Sequence, residues 1–207
     1  MAERRLLIVG AGAHARAVAD VALACGWMLG GFVGAPGAST TAAGVVGSDD
    51  DLPRLLASGR FEGAVVGVGN TALPRRPALF ARLRELRVTT PALVHPSAVV
   101  SPSARIGGGS VVFPQVTVGA DVIVGEDAVL YSSAVVEHDC RIGDHAYLAP
   151  GVIVCGTVRV ETGAFLGAGA IVVPGVVIGK EASVPAGARV AGDVAARTKF
   201  SASKAHR

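Results

Sequence analysis

Aromatic side chains make up only 4% of this 207-residue chain, with one Trp and two Tyr. A core built around large rings is therefore excluded, and the 51% of residues that are hydrophobic must pack through Val, Ala, Leu and Ile. Cysteine is scarce: Cys25, Cys140 and Cys155 are too few for a disulfide framework and lack any C-x-x-C metal spacing. No apolar run reaches the ~18 residues of a transmembrane helix. The start, Met1-Ala2-Glu3-Arg4-Arg5, leads into a strand and a glycine loop rather than a signal peptide, so the expectation is a cytoplasmic protein. Charge is sparse too. The net +3 includes Arg197, Lys199, Lys204 and Arg207 near the end, and no basic stripe is interleaved with aromatics, which argues against nucleic acid and suits a small polyanion.

What the chain does have is a period. An aliphatic residue recurs at every sixth position from Val94 to Val190, through Val100, Ile106, Val112, Val118, Val124, Leu130, Val136, Ile142, Leu148, Val154, Val160, Leu166, Val172, Ile178 and Val184. A helix repeats near every 3.6 residues and a flat strand every 2, so a sustained six-residue repeat fits neither. It fits a coil of short strands, three hexapeptides per triangular turn, giving about five coils stacked at ~4.8 Å. The position two before each aliphatic is small or β-branched (Ala128, Ala134, Cys140, Ala146, Val152), as a narrow interior corner demands. Glycines follow several aliphatics (Gly107, Gly119, Gly125, Gly143, Gly179), where the turn is expected to need freedom in φ.

Composition shifts near Pro91, and residues 1–91 read differently. Arg4 to Val9 is a buried strand running into Gly10-Ala11-Gly12-Ala13-His14-Ala15-Arg16 and an Ala-rich helix to about Ala24. Strands near Leu29–Val33 and Gly63–Val68 and helices near Asp50–Ala57 and Leu73–Leu86 complete the order βαβαβα, which predicts a small Rossmann-like parallel sheet. The expected division is thus an α/β domain over 1–91, an all-β coil over 92–195 and a basic tail over 196–207.

The glycine turn follows G-x-G-x-x-A, and amides at such a helix start can hold phosphate. A redox dinucleotide would want an acid after the second strand; Phe32-Val33-Gly34-Ala35-Pro36 offers none. A sugar nucleotide and a purely structural turn both remain open. Gly69-Asn70 at the end of the last strand lies on the ligand-binding edge of such a sheet. Asn70 could read a ligand there, with Arg75 or Arg76 near its phosphates, or it could cap the next helix.

Within the coil, Glu137-His138-Asp139-Cys140-Arg141-Ile142-Gly143-Asp144-His145 packs titratable groups into an otherwise bland repeat that continues unbroken. These side chains can therefore point outward without disturbing the core.

A hexapeptide coil carrying Glu-His-Asp-Cys-x-Ile-Gly-Asp-His behind an α/β unit that opens Gly-Ala-Gly-x-His resembles the hexapeptide acyltransferases, specifically the bacterial sialic-acid O-acetyltransferase-like family. The resemblance spans nearly the whole chain. It implies a left-handed parallel β-helix and a homotrimer with active sites between subunits. It also implies transfer from acetyl-CoA to the amine of a UDP- or GDP-linked 4-amino sugar of the bacillosamine or perosamine type, in glycan biosynthesis. By the same resemblance, His138 is the general base, Asp139 orients it or strengthens it, and the Gly156 amide stabilises the oxyanion. The base has work to do, because a sugar ammonium must lose a proton before attacking a thioester, and imidazoles as a class titrate near ~6.5. Gly10, Gly12, His14, Arg16, Gly69, Asn70 and Arg75 are then the nucleotide-sugar residues. His145, Tyr147, Gly156, Gly167, Ala168, Gly169 and Lys180 are the acetyl-CoA residues, with Arg189, Arg197 and Lys199 further candidates for its phosphates. No metal and no NAD are expected.

Two departures stand out. Tyr147 replaces a His common in relatives, and the acid some relatives carry after the second strand is missing, which leaves uridine and guanosine carriers undecided. Other readings carry less. A β-helical carbonic anhydrase needs three zinc-binding imidazoles, but His95, His138 and His145 contain no close pair. A non-catalytic nucleotide-sugar-binding trimer, or a sugar O-acetyltransferase, remains an alternative that substrate tests would separate.

Overall fold

A computed structural model describes residues 4–35 and 43–201. Pro36 of the segment after the second strand, and Lys204 and Arg207 of the expected basic tail, lie outside the described residues. The chain divides into two compact units, Met1–Pro96 and Ser97–Arg207.

The first unit is a four-stranded parallel sheet in the order β3-β2-β1-β4, formed by β1 (Arg5–Val9), β2 (Met28–Val33), β3 (Val45–Gly47) and β4 (Gly63–Val66). Helices α1 (Ala13–Ala24), α2 (Leu52–Ala57) and α3 (Arg76–Glu85) cover it. Leu6, Leu7, Ile8 and Val9 of β1 are all fully buried, as expected of a central parallel strand covered on both faces. Leu7 and Val9 pack with Leu52, Leu55, Leu79 and Leu83. On α1 the buried positions Ala15, Val18, Ala19 and Ala22 keep the 3.6-residue period.

Two expectations change here. The order is βαββαβα, because Val45–Gly47 adds a three-residue edge strand too short to show a period. The last helix starts at Arg76 rather than near Leu73. Residues Asn70–Arg75 instead form a 3₁₀ turn containing Pro74, with Ala72 out of helical geometry at φ −141°.

The second unit is a parallel β-helix whose two-residue strands pair with positions eighteen residues on, as in Ile123↔Arg141 and Val135↔Ile153. The aliphatic of each strand points inward: Val118, Val124 and Ile142 are 2% exposed, and Val136, Leu148, Val154, Leu166 and Val184 are fully buried. Each such burial contributes ~1.5–3 kcal/mol. The small positions, Ala128 through Ala182, are buried alongside. The outward positions form ladders. One face carries Val99, Thr117, Val135, Ile153, Ile171 and Arg189; a second carries Arg105, Ile123, Arg141, Arg159 and Val177. The stack continues through Val194 and Lys199, which bridge to Ile178 and Ser183.

The corner glycines correct the sequence reading. Positive φ falls three residues after the aliphatics from Ile106 to Val184, as at Asp121, Asp127, Ser133, Asp139, His145, Gly151, Thr157, Gly163 and Gly169, and not at the glycine directly following. Gly119, Gly143 and Gly179 have ordinary φ. A β-carbon there would lie 2.8, 2.6 and 2.5 Å from a backbone nitrogen of the next coil, so close stacking, not torsional freedom, selects glycine. Among the described residues no helix is long and apolar enough to cross a membrane.

Candidate functional site

The α/β unit holds a cavity of about 670 Å³ at the carboxyl ends of its strands, where ligands of open α/β sheets bind. Gly10, Gly12 and His14 line it from the β1–α1 turn, and Gly69, Asn70 and Arg75 from the turn after β4. Gly10 has φ +132°, and a β-carbon there would lie 2.8 Å from the Gly67 carbonyl. Gly12 caps α1 without any side-chain hydrogen bond and has nothing within 4 Å of its missing β-carbon, so it faces open space. Asn70 is exposed at the start of the 3₁₀ turn, whose cap is Gly69, so the capping alternative does not describe it.

His14 is pushed down from 6.5 to about 3, first by burial and second by the Arg76 charge, so it is neutral at physiological pH. Arg75 and Arg76 behave differently. Arg76 is buried, and its Nη1 donates to the carbonyls of Val66 (3.3 Å) and Val68 (2.7 Å), bracing the strand end. Arg75 remains at the rim, its Nη2 2.7 Å from Asp49 Oδ2. Arg16 is half-buried on α1 and does not line the cavity. Ser48, Asp49, Asp50 and Thr71 do line it and were not anticipated. The first three follow β3, which has no sequence signature, and so they place acids beside a cavity that the segment after β2 leaves without them.

In the coil, His138, Asp139 and Gly156 meet at one corner. Asp139 is the left-handed turn residue (φ +60°), which folds its carboxylate back so that Oδ2 accepts from His138 Nδ1 at 2.8 Å. That bond fixes the tautomer and leaves Nε2 as the proton acceptor. Gly156 lies directly beneath: a β-carbon on it would stand 2.7 Å from both Cε1 and Nε2 of His138. Among the described residues the Gly156 amide donates to no backbone or side-chain acceptor, while its carbonyl accepts from Thr157 Oγ1 at 2.7 Å and Gly175 N at 3.1 Å. A donor beside a base is what thioester aminolysis needs. Cys140 is core filler, buried with its thiol 3.0 Å from the Cys155 carbonyl and pushed up by burial.

The remaining predicted acetyl-CoA residues do not gather there. His145 sits at the next corner, its Nδ1 2.9 Å from the buried carboxylate of Asp127, a partner the sequence did not suggest. Tyr147 is buried in a face, between Tyr131 at 6.2 Å and Phe165 at 5.8 Å. Gly167, Ala168 and Gly169 form the third corner. Gly167 is bare because its own next coil, at Pro185 and Ala186, occupies the space, whereas Ala168 and Gly169 are exposed. Lys180 pairs with Glu181 at 3.8 Å and borders a groove with Arg141 and Arg159, while Arg189 lies on the face of Ile171. Arg197 is tied to Glu181 at 2.9 Å. Among the described residues no three His, Cys, Asp or Glu side chains converge as metal ligands.

Comparison with known proteins agrees with both units. The description "PglD N-terminal domain" matches residues 5–78, "Bacterial transferase hexapeptide (six repeats)" residues 121–156, and "Hexapeptide repeat of succinyl-transferase" residues 157–190. Perosamine N-acetyltransferase from Caulobacter crescentus, solved as a histidine-to-asparagine variant with CoA and GDP-perosamine, is 37% identical. It superposes with a TM-score of 0.89 over 94% of this chain and 91% of that one. PerB from the same organism, with CoA and GDP-perosamine, is 38% identical, with a TM-score of 0.88 over 92% and 90%. The acetyltransferase domain of PglB from Neisseria gonorrhoeae, with acetyl coenzyme A, is 31% identical, with a TM-score of 0.84 over 93% of each chain. No curated protein matches this chain. The chain belongs to the hexapeptide-repeat acyltransferases with a PglD-type N-terminal domain, the family its motifs resemble. It is accordingly an acyltransferase, and its coil is the left-handed β-helix of that family.

Proposed function

We propose that the protein is an acetyl-CoA-dependent N-acetyltransferase acting on the amino group of a nucleotide-linked 4-amino sugar. The observation that carries this is the His138 corner: an imidazole held through Nδ1 by Asp139, with Nε2 poised over Gly156. In this reading the sugar amine attacks the thioester carbonyl carbon as Nε2 takes its proton. The Gly156 amide donates to the oxyanion, and the C–S bond then breaks with the proton passing from the imidazolium to the leaving sulfur. The products are the acetamido sugar and free CoA, with no acyl-enzyme. The amine is favoured over a hydroxyl as the stronger nucleophile, and the relatives include N-acetyltransferases solved with CoA and GDP-perosamine. The sugar nucleotide is assigned to the cavity bordered by Gly10, Gly12, His14, Gly69, Asn70 and Arg75.

The working form is proposed as a homotrimer with the site at the seam. Val99, Ile153 and Ile171 are 67%, 38% and 39% exposed along one face, with Thr117 and half-buried Val135 between them, and Val135 leads into the His138 corner. An exposed strip of this kind marks an interface. In addition, His145, Gly156 and Gly169 lie at or beside three different edges of the β-helix, while Tyr147 is buried in a face, so the corner residues can serve one thioester only where edges of neighbouring copies meet.

The decisive experiment supplies acetyl-CoA with a panel of UDP- and GDP-linked amino sugars and follows free thiol. Thiol release with one amino sugar, and an N-acetylated product, is expected. Release with none of them, or acetylation at oxygen, would overturn the proposal.

A further inference from the structure

Most coil glycines with ordinary φ are glycine because of backbone. A β-carbon on Gly107, Gly119, Gly143, Gly167 or Gly179 would strike main-chain atoms of the following coil. Gly156 is different: the three nearest atoms to its missing β-carbon are Cε1, Nε2 and Cδ2 of His138, at 2.7, 2.7 and 3.3 Å, and all belong to the imidazole. The fold makes no demand for glycine at this position; the histidine does.

We propose that Gly156 is a positioning residue whose bare Cα forms the floor on which the His138 ring lies, an inference that rests on His138 being the general base. Within its own chain the ring is 60% exposed, so side-chain packing inside the chain does little to hold it. It is held by two things, the 2.8 Å bond from Nδ1 to Asp139 and the flat floor below. Real β-carbons do not sit 2.7 Å from a ring atom, so any side chain at 156 must lift the ring, and lifting it pulls Nδ1 from Asp139 and moves Nε2. Because no packed core of its own chain surrounds the ring, this displacement costs the fold little stability while removing the base from its place.

The floor is itself pinned. Among the described residues Thr157 is the only β-branched one at a non-glycine position of positive φ, at +62°. A β-branched side chain is disfavoured there, and such strain collects where geometry is over-determined. Its amide donates to the His138 carbonyl at 3.0 Å and its hydroxyl to the Gly156 carbonyl at 2.7 Å, tying the two levels of the corner together.

The test is a double-mutant cycle of Gly156→Ala and His138→Ala, with a crystal structure of Gly156→Ala. Alanine preserves the amide, so only the methyl is varied. The single Gly156→Ala variant is expected to lose roughly 10–100-fold in kcat, a partial loss of the ~10²–10⁴-fold that general-base catalysis supplies. Both substrates should keep their KM within about twofold, Tm should be unchanged, and the imidazole should be displaced by about 1 Å or more. In the His138→Ala background the methyl has room and should change the residual rate less than about twofold. Wild-type kcat in Gly156→Ala, an undisplaced ring, loss of folding, or an equal fold-loss in both backgrounds would overturn the inference. Full turnover by His138→Ala alone would instead overturn the assignment of the base, so the two failures are distinguishable.

Discussion

The carboxylate of Asp127, fully buried, lies 2.9 Å from Nδ1 of His145 on the next coil. Both are left-handed turn residues, φ +52° and +58°, eighteen positions apart, so the stacking of corners brings them together. Asp127→Asn tolerates that φ and can still accept from Nδ1–H, so it should leave Tm nearly unchanged. Asp127→Ala removes the acceptor and should lower stability by ~1–3 kcal/mol. Equal Tm for the alanine variant and the parent would show that the pair does not stabilise the corner.

His138→Ala is expected to lower kcat by ~10²–10⁴. With the ring 60% exposed within its own chain and outside its core, the fold and its thermal stability should be retained. Steady-state kinetics beside thermal melts check both halves, and normal turnover would remove His138 from the chemistry.

Gly10 and Gly12 should separate packing from binding. Gly12→Leu projects into open cavity and should weaken nucleotide-sugar binding at least tenfold while sparing CoA and Tm. Gly10→Ala meets the Gly67 carbonyl and is strained at φ +132°, so it should lower Tm as well. Calorimetric titration with each ligand decides; a parallel fall in both affinities for Gly12→Leu would refute the two-site division.

Acid should loosen the α/β unit through His14. Its folded pKa of about 3 lies below the ordinary 6.5, so between these values the unfolded chain binds the proton that the folded chain refuses. Stability therefore falls as pH drops from about 6.5 toward about 3, by on the order of 4 kcal/mol over the window, and is unaffected above it. His14→Gln should flatten Tm against pH in that window; an unchanged slope would show that His14 is not the responsible group.

The six-residue period was sufficient for the coil, because each aliphatic from Val112 to Val190 is buried by stacking that depends only on local repetition. The exposed cluster at Glu137-His138-Asp139 was visible for the same reason: an unbroken repeat dictates which positions face out. The α/β order was visible except for Val45–Gly47, whose three residues form a strand only because the edge of β2 is there to pair with. The acids after it, Asp49 and Asp50, were consequently missed as cavity residues.

Sequence alone thus determined the two architectures and singled out the exposed Glu137-His138-Asp139 cluster, since periodicity and motif are properties of neighbouring residues. Tertiary structure alone decided which groups face one another across eighteen residues. It set Asp127 against His145, gave Arg76 to the strand carbonyls while leaving Arg75 at the rim, and placed bare Gly156 under the His138 ring. Those relationships arise from the rise of one coil onto the next and from the crossing of chain ends at a sheet edge, distances that no local pattern encodes.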